Sequence, residues 1–419
     1  MRLLPFLLLP LLLLDIYAKD AGFYGDVRAL YMNKSKLKEN NFDAKAFALG
    51  TNLGYRYFLN DALSFEGEVG FALPLYGFAK GDEALFGMAS PNGFSDIFGQ
   101  NRRDSVSYMQ LSNLNVGYEV DGTKFIAGAQ ELDTPLTKAH DVRLVPNRFA
   151  ALYFEHQLTP TLELFALESF AMVGALDNND HLKSTSSGHY SSMSKAVHPD
   201  IPDEADLAAI GARYDNEKIT SNAWFYALTQ VIYSSDTPAD ETVMVLFTDI
   251  DYKISSKSLL SAQYMNASLP ASVSINNYND FAIYGLKFEQ QFGDFRLILA
   301  YNRSVGSGII LDVWGARPEY TVADEFWFSS LDLSEAKSSK IGVNFRANRE
   351  FCIKTAVIEI EGDDTIESKK GATIVDISFN YKPMENIELF LLNETINYYK
   401  KPTQELDQEL LKYGVTFTF

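Results

Sequence analysis

The chain has 419 residues, a formal net charge of −19, one cysteine, and an aromatic content of 13% carried by 30 Phe and 23 Tyr. The acidic balance argues against nucleic-acid binding, whose electrostatic footprint is basic. A lone Cys352 excludes a disulfide framework, and with no base or oxyanion group around it in sequence it reads as an inert strand residue.

At the start of the chain, Arg2 precedes an apolar run from Leu3 to Leu14 and then the small residue Ala18. A run of about twelve residues is too short to span a bilayer as a helix, which takes roughly 20. It has the shape of a secretory signal peptide. The expected division is residues 1–18 as signal peptide and 19–419 as one domain, because no linker or composition shift divides the remainder despite its length. After Ala18 the apolar segments are short and interrupted, which excludes a helical membrane protein.

Period-2 segments then recur to the end. Phe47, Leu49, Leu53, Tyr55 and Tyr57 alternate with Gly50, Asn52, Gly54 and Arg56. Phe65, Val69, Phe71 and Leu73 alternate with Glu66, Glu68 and Gly70. Similar alternation covers Met244 to Lys253 and Thr373 to Tyr381. Successive side chains of a strand point to opposite faces, so each segment has one apolar and one polar face.

The connections sort into two kinds that take turns. Tight polar turns fall at Asn60-Asp61, Asp121-Gly122, Thr159-Pro160, Asn216 to Lys218, Ser255 to Lys257, Phe292 to Asp294, Asn348 to Glu350 and Lys382 to Asn386. Between them lie longer polar loops near 34–45, 74–104, 132–148, 174–205, 231–242, 267–279, 304–336, 361–371 and 400–407. Eight turns and nine loops join eighteen strands. Strict alternation of short and long connections, with an even strand count, marks an all-β transmembrane antiparallel β-barrel with short periplasmic turns and long extracellular loops. A soluble sandwich or propeller has many strands without that alternation.

Aromatics near the lower end of every descending strand, from Tyr57 and Tyr118 to Tyr381 and Phe419, fit the interfacial girdle of such a barrel. In lipid only helices and closed barrels pair every backbone group. Eighteen strands leave a water-filled lumen, for which polar inward faces are expected. Alternation is blurred in strands six, nine and fifteen, by runs such as Leu152-Tyr153-Phe154, and leaves their faces open.

The segment Glu131 to His156, ELDTPLTKAHDVRLVPNRFAALYFEH, contains Thr134-Pro135-Leu136 and Asp141 to Pro146 followed by Phe149. It resembles the third-loop segment of OprD-type outer-membrane porins, and GDVRALYMN from Gly25 resembles their opening strand. The resemblance implies a channel for ions and small hydrophilic solutes, often amino acids or carboxylates, in the bacterial outer membrane. Its third loop, 132–148 here, would fold into the lumen, and a ladder of arginines would line one wall. Carried over to this chain, Arg143 and Arg148 flank the constriction with His140 and Asp141 beside them.

The alternation puts Arg28, Arg56, Arg213, Arg296, Arg346 and Lys412 on lumen faces, scattered around the barrel, with Glu66 and Glu68 as an opposing acidic wall. These carboxylates and the net charge lead to an expected cation preference. The carboxylates equally fit ordinary lumen polar residues, and Arg143 and Arg148 equally fit solvated loop charges or ion pairs with Asp141 and Glu155 that pin the loop to the wall.

His181, His189 and His198 match no metal spacing. The acidic tracts Asp177 to Asp180 and Glu361 to Asp364 read as solvated loops, with divalent bridging to lipopolysaccharide as the sharper reading. No nucleotide-binding or hydrolase motif is present, so neither an enzyme nor a cofactor is expected. The final strand, LKYGVTFTF, should close against the first, with Leu411, Tyr413, Val415 and Phe417 toward lipid. Terminal Phe419, with Tyr413 and Phe417, resembles the signal read by the barrel-assembly machinery. The expected partners are therefore solutes, ions, outer-membrane lipid and that machinery, in a monomer or homotrimer. The rival reading is a non-channel barrel acting as an adhesin.

Overall fold

A computed structural model describes residues 21–36, 43–80, 108–139, 144–173, 190–193, 206–229, 242–268, 280–306, 318–323, 333–363, 371–399 and 407–419. Eighteen antiparallel strands close into one barrel. They are β1 (Ala21–Lys36), β2 (Asp43–Phe58), β3 (Leu63–Lys80), β4 (Tyr108–Val120), β5 (Thr123–Gln130) and β6 (Arg148–Thr159). Next come β7 (Leu162–Val173), β8 (Leu207–Asp215), β9 (Ile219–Leu228), β10 (Val243–Ser255), β11 (Ser258–Ser268) and β12 (Phe281–Phe292). The last six are β13 (Phe295–Gly306), β14 (Ser334–Arg346), β15 (Phe351–Asp363), β16 (Gly371–Met384), β17 (Ile387–Tyr398) and β18 (Gln408–Thr418). A two-residue piece, Ser191–Ser192, adds to the top of β7.

All eight tight turns fall where the sequence places them. At Asp121-Gly122 both residues have positive φ, 48° and 72°. This is the left-handed pair that a two-residue hairpin turn requires, and Asp-Gly is the pair that tolerates it. Closure joins β1 to β18 from Asp26↔Thr418 to Lys36↔Gln408, so no edge is left open. The backbone of Phe419 exchanges both hydrogen bonds with Gly25 at 3.0 Å, and Tyr413 stacks on Tyr31 at 4.7 Å.

The outward face carries large apolar side chains all round, among them Leu114, Ile210, Leu286, Ile341 and Tyr381. Such a wall suits a lipid surround, where packing would gain the outer side chains nothing over the solvent and the closed hydrogen-bond ladder would carry the fold. The inward face departs from the expected polar lining. Toward the loops it is apolar and buried: Met32, Tyr226, Phe247, Ile283, Ile358 and Ile374 are all inside. Toward the turns it carries the expected charges, including Glu66, Arg213, Asp249, Glu289 and Lys354.

That apolar upper storey explains the blurred strands. In β6, Leu152 and Phe154 face out while Tyr153 packs inward. In β9, Phe225 faces out while Trp224 and Tyr226 are buried inside. In β15, Val357 faces out and Ala356 and Ile358 face in. Both faces are apolar there, so the period of two loses its contrast.

Candidate functional site

The inward storey is apolar because inter-strand segments pack on it. Between β5 and β6, Leu132 and Leu136 join the cluster of Phe149, Tyr226 and Phe247, and the Tyr226 hydroxyl donates to Thr134 Oγ1 at 3.0 Å. Further along the same connection, Leu144 and Val145 lie over inward glycines. A Cβ on Gly50 would meet the Leu144 carbonyl at 2.7 Å, and one on Gly70 would meet Val145 at 2.5 Å. Both positions must lack a side chain for the segment to approach the wall. The Gln110 side-chain amide donates to the Pro146 carbonyl at 2.8 Å and fixes the return toward β6.

Two other connections, whose polar sequences match exterior loops, also reach inward. The Tyr190 hydroxyl donates to the carbonyls of Leu111 and Ser112 at 3.0 and 3.2 Å. Burial pushes this phenol above its ordinary value, so it stays a donor. In residues 318–323, the Thr321 and Ser338 hydroxyls bond at 2.5 Å and Val322 accepts from Lys340 Nζ at 2.9 Å. The Lys287 ammonium stands 5.0 Å from the Tyr320 ring centroid.

Below the Leu144 segment a cavity of about 680 Å³ opens between it and the wall formed by β1 and β15–β18. On one side stands Arg148, almost fully buried. Its guanidinium donates to Glu68 Oε1 at 3.1 Å, Asn113 Oδ1 at 3.2 Å and the Asn147 carbonyl at 3.1 Å, with Glu131 at 3.4 Å. A bulge at Ser112, opposite the Glu68–Val69 step, turns Ser112 and Asn113 inward in succession and so supplies that acceptor. Asn113 also donates to Glu66 at 3.2 Å, which is held by Arg56 at 3.1 Å and by the Tyr24 hydroxyl.

Across the cavity stand Arg28, Lys354 and Lys412, with Phe390, Asn380, Ser378, Thr416 and Thr418. Arg28 pairs with Asp26, which also accepts from Asn52 at 2.8 Å, and Lys412 Nζ lies 5.9 Å from the Phe390 ring centroid. Glu388 enters from β17, bound by Lys382 at 2.7 Å.

The predicted residues therefore divide. Arg28, Glu68, Arg148 and Lys412 share the cavity. Arg56, Arg213 and Arg296 stand lower in the lumen, each beside a carboxylate: Glu66, Asp215 at 3.5 Å, and Glu289 at 3.3 Å. Arg346 ends β14 opposite Cys352. His140, Asp141 and Arg143 lie outside the described residues.

Two details differ from the sequence reading. The carboxylates that hold Arg148 are Glu68 and Glu131, while Glu155 accepts from Tyr153 at 3.0 Å. Glu68 thus compensates Arg148 directly and does not oppose it from another wall. The lumen cations are also less scattered than they look, since Arg28 and Lys412 sit on paired strands, and Lys354 joins them from β15. Lys354 was missed because the faces of that strand were left open. Lys354, Ala356 and Ile358 share a face on which only the lowest position is charged.

No protein-family model matches the chain, and no curated protein sequence does. Solved structures do. OpdK of Pseudomonas aeruginosa, determined with vanillate, superposes with a TM-score of 0.71 at 13% identity, covering 96% of this chain and 99% of its own. OccAB4 of Acinetobacter baumannii gives 0.71 at 14%, covering 96% and 98%. A BenF-like porin of Pseudomonas fluorescens Pf-5 gives 0.71 at 13%, covering 96% and 100%. At this identity the likeness speaks for architecture, and over almost its whole length the chain has the eighteen-stranded fold of OprD-type porins.

Proposed function

We propose that the protein is a passive channel of the bacterial outer membrane for ions and small hydrophilic solutes. Solutes are sorted where the segment from Glu131 to Arg148 narrows the lumen. The observation that carries this reading is the cavity under Leu144, whose two sides differ in kind. Arg148 is held in the segment's own anchorage, and the facing wall carries three further cations. Of these, Lys354 is exposed to a passing solute, while Arg28, paired with Asp26, and the buried Lys412 give that side its positive potential. A small solute bearing a carboxylate fits that side: charge-assisted hydrogen bonds replace part of its hydration, and neighbouring hydroxyls and Glu388 keep the hold weak enough for release. Arg143, His140 and Asp141 belong to the same narrowing in this reading. The lower lumen pairs, such as Arg296 with Glu289, screen the exit without selecting.

Purified protein in a planar bilayer gives stepwise currents on this reading. Silent membranes at moderate voltage would sink it in favour of a closed barrel with a surface role. Swelling of proteoliposomes in small carboxylates, amino acids and sugars of equal size then ranks the solutes, with carboxylates expected first.

A further inference from the structure

Two inward positions of the wall lack a side chain at the same level of the barrel. Gly70 stands seven residues above the turn end of β3 at Leu63, and Gly285 seven above the turn end of β12 at Phe292. Amide side chains flank both across the ladder: Asn52 and Gln110 beside Gly70, and Gln263 and Asn302 beside Gly285. An inward-folded segment covers each place. Val145 lies over Gly70, and Thr321 is bonded to Ser338, which stands opposite Asn302.

Around Gly70 the hydrogen bonds do not close. Asn52 Nδ2 donates to Asp26 Oδ1 and Gln110 Nε2 to the Pro146 carbonyl, both at 2.8 Å. Those bonds fix the two amides and leave their oxygens as acceptors. Asn52 Oδ1, Gln110 Oε1 and the Ser112 hydroxyl have no hydrogen-bond partner among the described residues, and the three residues are no more than 3% exposed. Two of these groups converge. The point that a Cβ on Gly70 would occupy is 2.9 Å from both Asn52 Oδ1 and Ser112 Oγ, with Val145 as its lid. Tyr190, donating to the Ser112 carbonyl at 3.2 Å, secures the bulge that turns Ser112 inward.

The unmet groups are thus two acceptors and one hydroxyl. A single water matches that set, donating to Asn52 Oδ1 and Gln110 Oε1 and accepting from Ser112. A divalent cation suits the corner poorly, because the nearby carboxylates are committed, Asp26 to Arg28 and Glu68 to Arg148. The pattern recurs on the other wall. A Cβ on Gly285 would meet Gln263 Cγ at 2.5 Å and Asn302 Nδ2 at 2.7 Å, so both amides lean over the glycine. Gln263 Oε1 and both polar atoms of Asn302 have no partner among the described residues, though both residues are buried.

We propose that the inward segments are seated on the wall through structural water, bound at Gly70 under the segment that narrows the lumen and at Gly285 beside residues 318–323. At Gly70 the water joins β2 to β4 across a strand that offers no side chain. The middle of the segment is then held by an exchangeable link, in contrast to the charged anchorage of Arg148 at its end. This seat does not depend on what the lumen conducts, so stability and hydration test it independently of current.

The test uses the full chain in detergent or nanodiscs. In urea unfolding, Ser112→Ala should lower the midpoint, because it takes one partner from the bound water. A dry hydroxyl without a partner predicts the opposite, since its removal would raise the midpoint or leave it unchanged. Ser112 and Asn52 make no direct hydrogen bond, so a shared water should couple Ser112→Ala to Asn52→Leu. The unfolding constant of the double variant should depart about fivefold from the product of the single effects. Water-to-amide magnetisation transfer in the wild-type protein should find a long-lived water at the Gly70 and Ser112 amides, lost in Ser112→Val. Replacing sodium by choline at constant ionic strength should leave the midpoint unmoved. A midpoint that does not fall in Ser112→Ala, strictly additive variants, or no long-lived water at these amides would each overturn the proposal. A midpoint that follows sodium would overturn it in favour of a bound monovalent cation.

Discussion

Toward the loops the inward positions of β1, β10, β12 and β15 are Met32, Phe247, Ile283 and Ile358, each no more than 3% exposed. Toward the turns the same faces of the same strands carry Asp26, Asp249, Lys287 and Lys354. One continuous ladder thus supports an apolar storey that grips chain segments and a charged storey left to water. Inside a wide barrel, polarity follows what each level faces, and the upper level faces protein. The same contrast separates the cations: Arg148 sits where the storeys meet and is consumed by Glu68, Asn113, Asn147 and Glu131. Across the cavity Lys354 is exposed, Arg28 is paired with Asp26, and Lys412 is buried near Phe390.

The strongest way to break this contrast is to place a charge in the gripping storey. Leu144→Asp puts a carboxylate against Gly50 in a fully buried position and costs several kcal/mol if the segment stays in place. The segment should detach, and single-channel conductance should rise while heat-modifiable migration stays normal; unchanged conductance would remove it from the pathway. Next in size is Arg148→Ala, which strands Glu68 and should cost about 3–5 kcal/mol. The double change Arg148→Met with Glu68→Leu should recover most of that in urea-unfolding measurements. A double variant as unstable as the single one would show that the pair itself is not the anchor.

Neutralising the open side sharpens the comparison from below. Arg28→Gln, Lys354→Gln and Lys412→Gln together should move the reversal potential in a salt gradient toward cations, by roughly fivefold in permeability ratio per charge if each contributes about 1 kcal/mol. Tyr190→Phe removes one donor to Leu111 and Ser112 and should cost about 1 kcal/mol of stability with selectivity unchanged. Smallest is Arg213→Gln with Arg296→Gln. Both groups are about half exposed beside carboxylates, so stability should stay within about 0.5 kcal/mol of wild type. A selectivity shift as large as that of the triple change would move the selecting site down to the vestibule.

Much of the architecture was legible in the sequence. Turn chemistry such as Asp121-Gly122, alternation such as Phe47 to Tyr57, and long-short alternation of connections gave the strand count, the turn positions and the closing pair β1–β18. The faces of β6, β9 and β15 were not legible, because Tyr153, Trp224 and Ile358 serve an inner packing surface that leaves no polar mark. The inward lie of residues 318–323 was equally silent: a polar segment bound through Thr321 and Lys340 looks like any exposed loop.

Backbone pairing is local and periodic, so a linear pattern of side chains suffices to specify strands, turns and a closed ring. The partners of Arg148 and the gathering of Arg28, Lys354 and Lys412 depend on contacts between residues tens to hundreds of positions apart. Those contacts exist only once the ring has closed and the connections have settled on its inner wall. That step decided which charges hold the structure and which face the cavity.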